Sequence, residues 1–151
     1  MSALFVKRVE DIAVGDLLPP LDIEVSLTSL VMYAGATWDF HRYHYDGAYV
    51  SERGLRAPFM DGQMAGALLA RQLMRWGGPD AFVRRLSYRL RAMVFAGERI
   101  LLSGEVVETS IELGRSLALC KINIVKSDGT VVVQGAAATV ELARRRPDTN
   151  A

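Results

Sequence analysis

Cysteine, histidine and proline are scarce in this chain, and neither sign of charge dominates it. One cysteine, Cys120, among 151 residues excludes an intramolecular disulfide and a cysteine-rich metal site. Basic and acidic side chains number 18 and 17, a formal charge of +1 with the histidines neutral. That balance excludes the broad basic footprint of a dedicated nucleic-acid binder. No apolar run approaches the roughly 20 residues of a membrane span. The opening residues, Met1-Ser-Ala-Leu-Phe-Val-Lys-Arg-Val-Glu10, put their charges after a very short apolar stretch, unlike a secretory signal. What is abundant is apolar side chain, half of all residues. A chain of this length buries about 70% of its unfolded surface, enough for one core without staples. The expectation is a single cytoplasmic domain over residues 1–143. Residues 144–151, Arg144-Arg-Arg-Pro-Asp-Thr-Asn-Ala151, form a polar tail broken by Pro147 and are expected to be disordered.

The pattern along the chain is that of an α+β domain. Leu17 to Val25 reads as extended, and the interruption at Pro19-Pro20 suggests an edge strand. Ser26 or Thr28 can cap a short helix whose Leu30, Val31, Ala34 and Trp38 share one face. Asp39 to Arg56 is polar, aromatic and aperiodic, hence mostly loop. Gly62 to Ala70 carries no charge and is rich in small residues; the pattern continues to Trp76 and stops at Gly77-Gly78-Pro79. A helix apolar nearly all round at its start is buried. Beyond it, Leu86, Tyr88, Leu90 and Ala92 alternate with Arg85, Ser87, Arg89 and Arg91. Strands are expected from Ile100 to Glu108, Ser116 to Lys126 and Val131 to Leu142, with Ser127-Asp128-Gly129 as a hairpin turn. Long antiparallel strands after one buried helix indicate a sheet curled around that helix, the hotdog arrangement. Cys120 reads as a small core residue.

Both histidines fall within Asp39-Phe-His41-Arg-Tyr-His44-Tyr-Asp46. Functional groups concentrate on loops held by a rigid scaffold. Three readings are open. His41, His44 and Asp46 offer N, N and O ligands to a metal, but zinc sites draw ligands from separated segments and no further histidine exists to complete one. An exposed His41 with Asp39 as a cap needs no chemistry. Asp39 and His44 together form an acid/base pair, in which the carboxylate orients the ring and stabilises its charged form.

The motif Asp39-x-x-x-x-His44-x-Asp46, after a short helix containing Tyr33-Ala-Gly35-Ala, resembles the hydratase motif of MaoC-like dehydratases. That family includes the R-specific enoyl-CoA hydratases and the 3-hydroxyacyl-thioester dehydratases. The likeness continues through Ala57-Pro58-Phe-Met-Asp-Gly62, Leu86-Ser-Tyr-Arg-Leu90 and Phe95-Ala-Gly97-Glu98, and covers roughly Ile12 to Leu142. Ala36-Thr-Trp-Asp-Phe40 and Trp76-Gly-Gly-Pro79 are similar to the catalytic small subunit of heteromeric enoyl-CoA hydratases of steroid side-chain degradation. The chain departs from the family pattern at three places. His41-Arg42 stands where Asn-Pro is common, Asp61 where a histidine often precedes the helix glycine, and Ala70 where some relatives have serine.

The resemblance implies reversible hydration of a 2-enoyl thioester, with no metal or redox cofactor and the CoA thioester as substrate. Asp39 would deprotonate water, His44 would hold it and shuttle a proton, and the Gly62 N–H would stabilise the enolate oxygen. Substrate contact is expected at Asp46, Arg56, Met60 and Tyr88. Arg53, Arg56, Arg85, Arg89 and Arg91 suit CoA phosphates, although a solvated strand face accounts for each singly. Met60, Met64, Phe59 and Trp38 fit an acyl tunnel or ordinary core contact, and Tyr43 and Tyr45 fit gating or packing. The expected partners are an acyl-CoA or acyl-carrier thioester and a second hotdog chain, identical or related, with no nucleic acid and no membrane. Two other functions stay open: a hotdog thioesterase using Asp61 to activate water, and a non-catalytic subunit completing a partner's tunnel.

Overall fold

Burial of one long helix organises the chain. A computed structural model describes residues 6–143; the tail expected at 144–151 lies outside them. Helix α3 (Gly62–Gly77) buries Met64, Ala65, Leu68, Leu69, Leu73 and Trp76, spaced three and four apart. The helix ends as the sequence suggests, where Gly78 turns away at φ 84° while its N–H still bonds the Met74 carbonyl.

Around it runs a five-stranded antiparallel sheet ordered β1-β3-β4-β5-β2. The strands are β1 (Leu17–Val25), β2 (Phe82–Ser87), β3 (Glu98–Glu112), β4 (Arg115–Lys126) and β5 (Val131–Leu142). Alternation sets the inward face: Ala118, Cys120, Ile122 and Ile124 of β4 meet Ala136, Ala138, Val140 and Leu142 of β5 in the same core as the helix. At the helix end Gly77 lets β5 come close, since a Cβ there would lie 3.1 Å from the Leu142 side chain. Burial pushes the Cys120 thiol up to about 12, so it stays protonated and behaves as a core residue.

β1 lies at a sheet edge, as its prolines require, and its register slips between Leu18 and Leu21. The Pro19 carbonyl finds another donor. Gln72, a buried amide on the apolar helix, donates to it at 3.0 Å and to the Leu102 carbonyl at 3.3 Å. Nothing in the periodicity points to this tie between helix and strand.

Three expectations need correction. Helix α1 (Leu27–Thr37) buries Leu30 and Ala34, but Val31 is 49% and Trp38 84% exposed. The helix ends at Trp38, which turns left-handed and leaves the apolar face. The stretch 39–56 is less irregular than expected. It contains a 3-10 turn (Arg42–His44) and helix α2 (Gly47–Ser51), which Asp46 caps. The strand expected through Ala92 stops at Ser87, because the following Tyr88 is drawn to the start of α3; Leu90 touches the sheet only through an isolated bridge to Val133. Among the described residues no helix is long and apolar enough to cross a membrane.

Leu69→Ala, at a fully buried position, is expected to cost about 2–5 kcal/mol in urea unfolding. Val14→Ala, at an exposed position, is expected to stay within about 0.5 kcal/mol.

Candidate active site

The chain turns sharply just before Asp39. Ser26 Oγ accepts the Ser29 N–H at 3.1 Å and starts α1. At the other end Trp38 adopts φ 57°, ψ 21°, and the N–H groups of Trp38 and Asp39 both bond the Ala34 carbonyl. A left-handed non-glycine residue costs about 1–2 kcal/mol, and such strain clusters at functional sites. Here it sends Trp38 to solvent, edge-on to Phe40 at 5.3 Å. Asp39 turns inward, over Leu30, Tyr33 and Ala34 of α1.

Asp39 also accepts the His41 N–H at 3.3 Å. His41 itself is exposed and stacks on Tyr43 with ring centroids 5.0 Å apart. Tyr43 packs edge-on to Tyr49 and against Phe59, and Tyr45 donates its hydroxyl to the Phe40 carbonyl. Both tyrosines therefore pack. Asp46 is fully engaged: Oδ1 accepts the Tyr49 N–H at 3.0 Å, and Oδ2 accepts from Arg42 Nε and Nη2 at 2.9 and 2.7 Å. The Tyr49 N–H first, then Arg42, hold this carboxyl below its ordinary range. Asp46 builds the loop that carries His44.

The His44 ring is fixed through its Nδ1, 2.8 Å from the Phe59 carbonyl. A carbonyl only accepts, so Nδ1 carries the hydrogen and Nε2 is left for chemistry. The Phe59 segment is itself clamped. Its N–H donates to the Tyr43 carbonyl, the Met60 N–H donates to Val94 and the Ala96 N–H donates to Pro58. Behind Phe95, Glu98 accepts the Phe95 N–H at 2.8 Å and pairs with Lys126 at 2.8 Å and with Arg56. Burial alone would raise the Glu98 pKa, but Lys126, the Phe95 N–H and Arg56 outweigh it and hold the carboxyl below its usual value. Arg56 lies over the Phe95 ring at 4.3 Å, so its first task is in this clamp.

The start of α3 is the third component. Tyr88 donates its hydroxyl to the Gly62 carbonyl at 3.0 Å. A Cβ on Gly66 would sit 2.3 Å from that hydroxyl, which is why the helix needs a glycine there. Asp61 caps the helix by accepting the Gln63 N–H at 3.1 Å.

These parts enclose a small cavity lined by Leu30, Tyr33, Ala34, Asp39, His44, Asp61 and Met64. About 10 Å³ of it is open to a water centre, room for about one water. The donor atoms of Asp39, His44 and Asp61 all lie within 4.8 Å of one another. The Tyr33 hydroxyl pKa is raised by burial and by the nearby Asp61, Tyr88 and Asp39. Next to the cavity, across the first turn of α3, lies an apolar cleft of about 280 Å³ formed by Phe59, Met60, Gly62, Leu90, Arg91, Ala92, Met93 and Val94. Gly62 is the first residue of the helix, so its N–H is among the four donors that no helical carbonyl reaches.

The structure thus brings Asp39 and His44 together, with Gly62 alongside and Met60 in the apolar cleft. Tyr88 supports the helix start, and Asp46 and Arg56 are placed in the scaffold. Arg85 and Arg89 are exposed, while Arg91 borders the cleft. The ligand trio considered for a metal does not assemble, since His41 faces solvent and Asp46 is paired. The group that offers O, N and O donors to a cation is Asp39, His44 and Asp61. Sequence reading missed the Phe59 carbonyl, which no side-chain motif reveals. It weighed Asp61 only as the water-activating carboxylate of a thioesterase, not as a neighbour of Asp39 and His44.

The family description "MaoC like domain" matches residues 14–124. The chain is 31% identical over 93 residues, 62% of its length and 72% of the relative's, to the 3-oxo-4,17-pregnadiene-20-carboxyl-CoA hydratase beta subunit of Mycobacterium tuberculosis. Among solved structures, a chain of the ChsH1-ChsH2 complex from Mycobacterium tuberculosis superimposes with a TM-score of 0.72 at 29% identity, over 88% of this chain and 98% of that one. The (R)-hydratase from A. caviae involved in PHA biosynthesis gives 0.79 at 20% identity, over 89% and 99%, a likeness of fold.

Because the folded pKa of Glu98 lies below its ordinary value of 4.5, the ionised group contributes stability above about pH 4.5. That contribution is lost as pH falls through the lower folded value. Thermal melts of wild type and Glu98→Gln are expected to differ most near pH 7 and to converge as pH falls below 4.5 and through the lower folded value.

Proposed function

Since the chain belongs to the MaoC-like family, we propose that it reversibly hydrates a 2-enoyl thioester, an acyl-CoA or carrier-protein conjugate, to the 3-hydroxyacyl thioester. The observation that carries this reading is a one-water cavity faced by Asp39 and His44 and set beside the free N–H groups of a helix start and an apolar cleft.

Each part has a task in the reaction. Water must reach C3 as its proton leaves, and negative charge grows on the thioester oxygen. Asp39 takes the proton from water. His44, its Nδ1–H held by Phe59, presents Nε2 to relay the proton from Asp39 to C2. The Gly62 N–H meets the enolate oxygen with the positive end of the helix dipole behind it, and no side chain of its own obstructs approach. Donors of this kind are worth about 10²–10³ in rate. The apolar cleft with Met60, Leu90 and Met93 takes the acyl chain. Dehydration runs through the same groups in reverse.

A second hotdog chain completes the assembly in this proposal. Two exposed features support it. Leu27, Val31, Met32, Trp38 and Phe40 form apolar surface on and just after α1, and β1 and β2 leave open sheet edges. The relatives named as a beta subunit and as a two-protein complex fit a related partner as well as an identical one. One alternative has a specific observation behind it: Asp61 lies in the cavity, where it would serve a thioesterase activating water against the carbonyl.

Incubation with crotonyl-CoA separates the two. Loss of the enoyl absorbance without free thiol is expected, and free thiol without hydration would establish the thioesterase. Asp39→Asn and His44→Ala are expected to lower kcat by about 10²–10⁴ with circular dichroism unchanged. Full activity in both variants would remove the dyad from the account.

A further inference from the structure

Asp61 is more than its cap requires. Its Oδ1 completes the cap at Gln63, while its Oδ2 is enclosed and has no hydrogen-bond partner among the described residues. Asparagine or serine would cap about as well without burying a carboxylate oxygen that lacks a donor. The ionisable groups around it are Asp39 and His44 in the cavity, Tyr33 of α1, and Tyr88, whose hydroxyl is turned to the Gly62 carbonyl. Asp61, with this oxygen unpaired, lines the cavity that the water would enter.

Hydrogen-bond accounting gives that oxygen a use. The cavity takes about one water. A nucleophilic water needs both hydrogens held by acceptors and one lone pair free to point at C3. Asp39 accepts one hydrogen. We infer that Asp61 Oδ2 accepts the other, so that Asp61 is a third catalytic residue that fixes the rotation of the attacking water. This rests on the hydration reading above. In the step, the water O–H to Asp39 breaks and C3–O forms, while the C2–C3 π pair moves into the enolate. The proton then passes from Asp39 through His44 Nε2 to C2 as the enolate collapses. Asp61 gains and loses no proton; it exchanges a bond to water for a bond to the new hydroxyl.

Asp61→Asn tests this closely. The cap needs an oxygen toward Gln63, so the amide nitrogen takes the place of Oδ2 and offers donors where the water needs an acceptor. With crotonyl-CoA, kcat is expected to fall about 10²-fold or more while KM stays within about threefold, the signature of a contact made in the reacting state. The melting temperature is expected to stay within about 3 °C, because asparagine still caps. Asp61→Ser keeps the cap and deletes Oδ2, so it carries the same test should the asparagine variant fold poorly. If both variants retain kcat within about threefold while Asp39→Asn loses it, Asp61 is only a cap and the hydration reading stands. A rise in KM with kcat unchanged would equally overturn the water-holding role. A wild type that hydrates neither crotonyl-CoA nor octenoyl-CoA overturns the reading beneath it, and this inference with it.

Discussion

The position of the first turn of α3 is the constraint on which the site depends. Asp61 faces the small cavity that holds Asp39 and His44, and Gly62 faces the apolar cleft, so one turn of backbone separates the two. That turn is held from two directions. Below, Met64, Leu68, Leu69 and Leu73 are buried against the sheet, and Gln72 ties the helix to the irregular start of β1. Above, Tyr88 holds the Gly62 carbonyl, which is possible only because Gly66 leaves room for its ring. Close packing makes such a position precise, since each neighbour limits the movement of the next.

The second anchor is the bond between His44 and the Phe59 carbonyl. It selects a tautomer as well as a location, because the hydrogen on Nδ1 fixes what Nε2 can do. The loop carrying His44 is short of apolar content, so its order comes from polar closure: Asp46 with Arg42 and Tyr49, and Tyr45 with Phe40. The facing segment is ordered by a half-buried charge cluster, with Glu98 joining Lys126, the exposed Arg56 and the Phe95 backbone. Charges outside the cavity thus set the backbone geometry around it.

Much of this was legible in the sequence, and the exceptions share a cause. Periodicity of two in Ala118, Cys120, Ile122 and Ile124, and the uncharged start of α3, gave sheet and helix because solvent on one side forces alternation. Asp39 and His44 stood out as a pair because histidine is rare here. Trp38 misled because apolar spacing cannot show a left-handed turn in a residue that seldom adopts one. Asp46 sits in the motif yet serves as cap and ion-pair partner, roles that a spacing rule does not separate from substrate contact. Gln72 and the Phe59 carbonyl matter through bonds to backbone at distant positions, which no local pattern encodes.

The central claim is that the water activated by Asp39 is delivered to C3 of the acyl group. Turnover of an enoyl-CoA in oxygen-18 water, followed by mass spectrometry of the products, tests that directly. The account predicts one heavy oxygen in the acyl part of an intact 3-hydroxyacyl-CoA, formed by wild type and lost with Asp39→Asn. Label appearing in a free carboxylic acid, with CoA released, would contradict it.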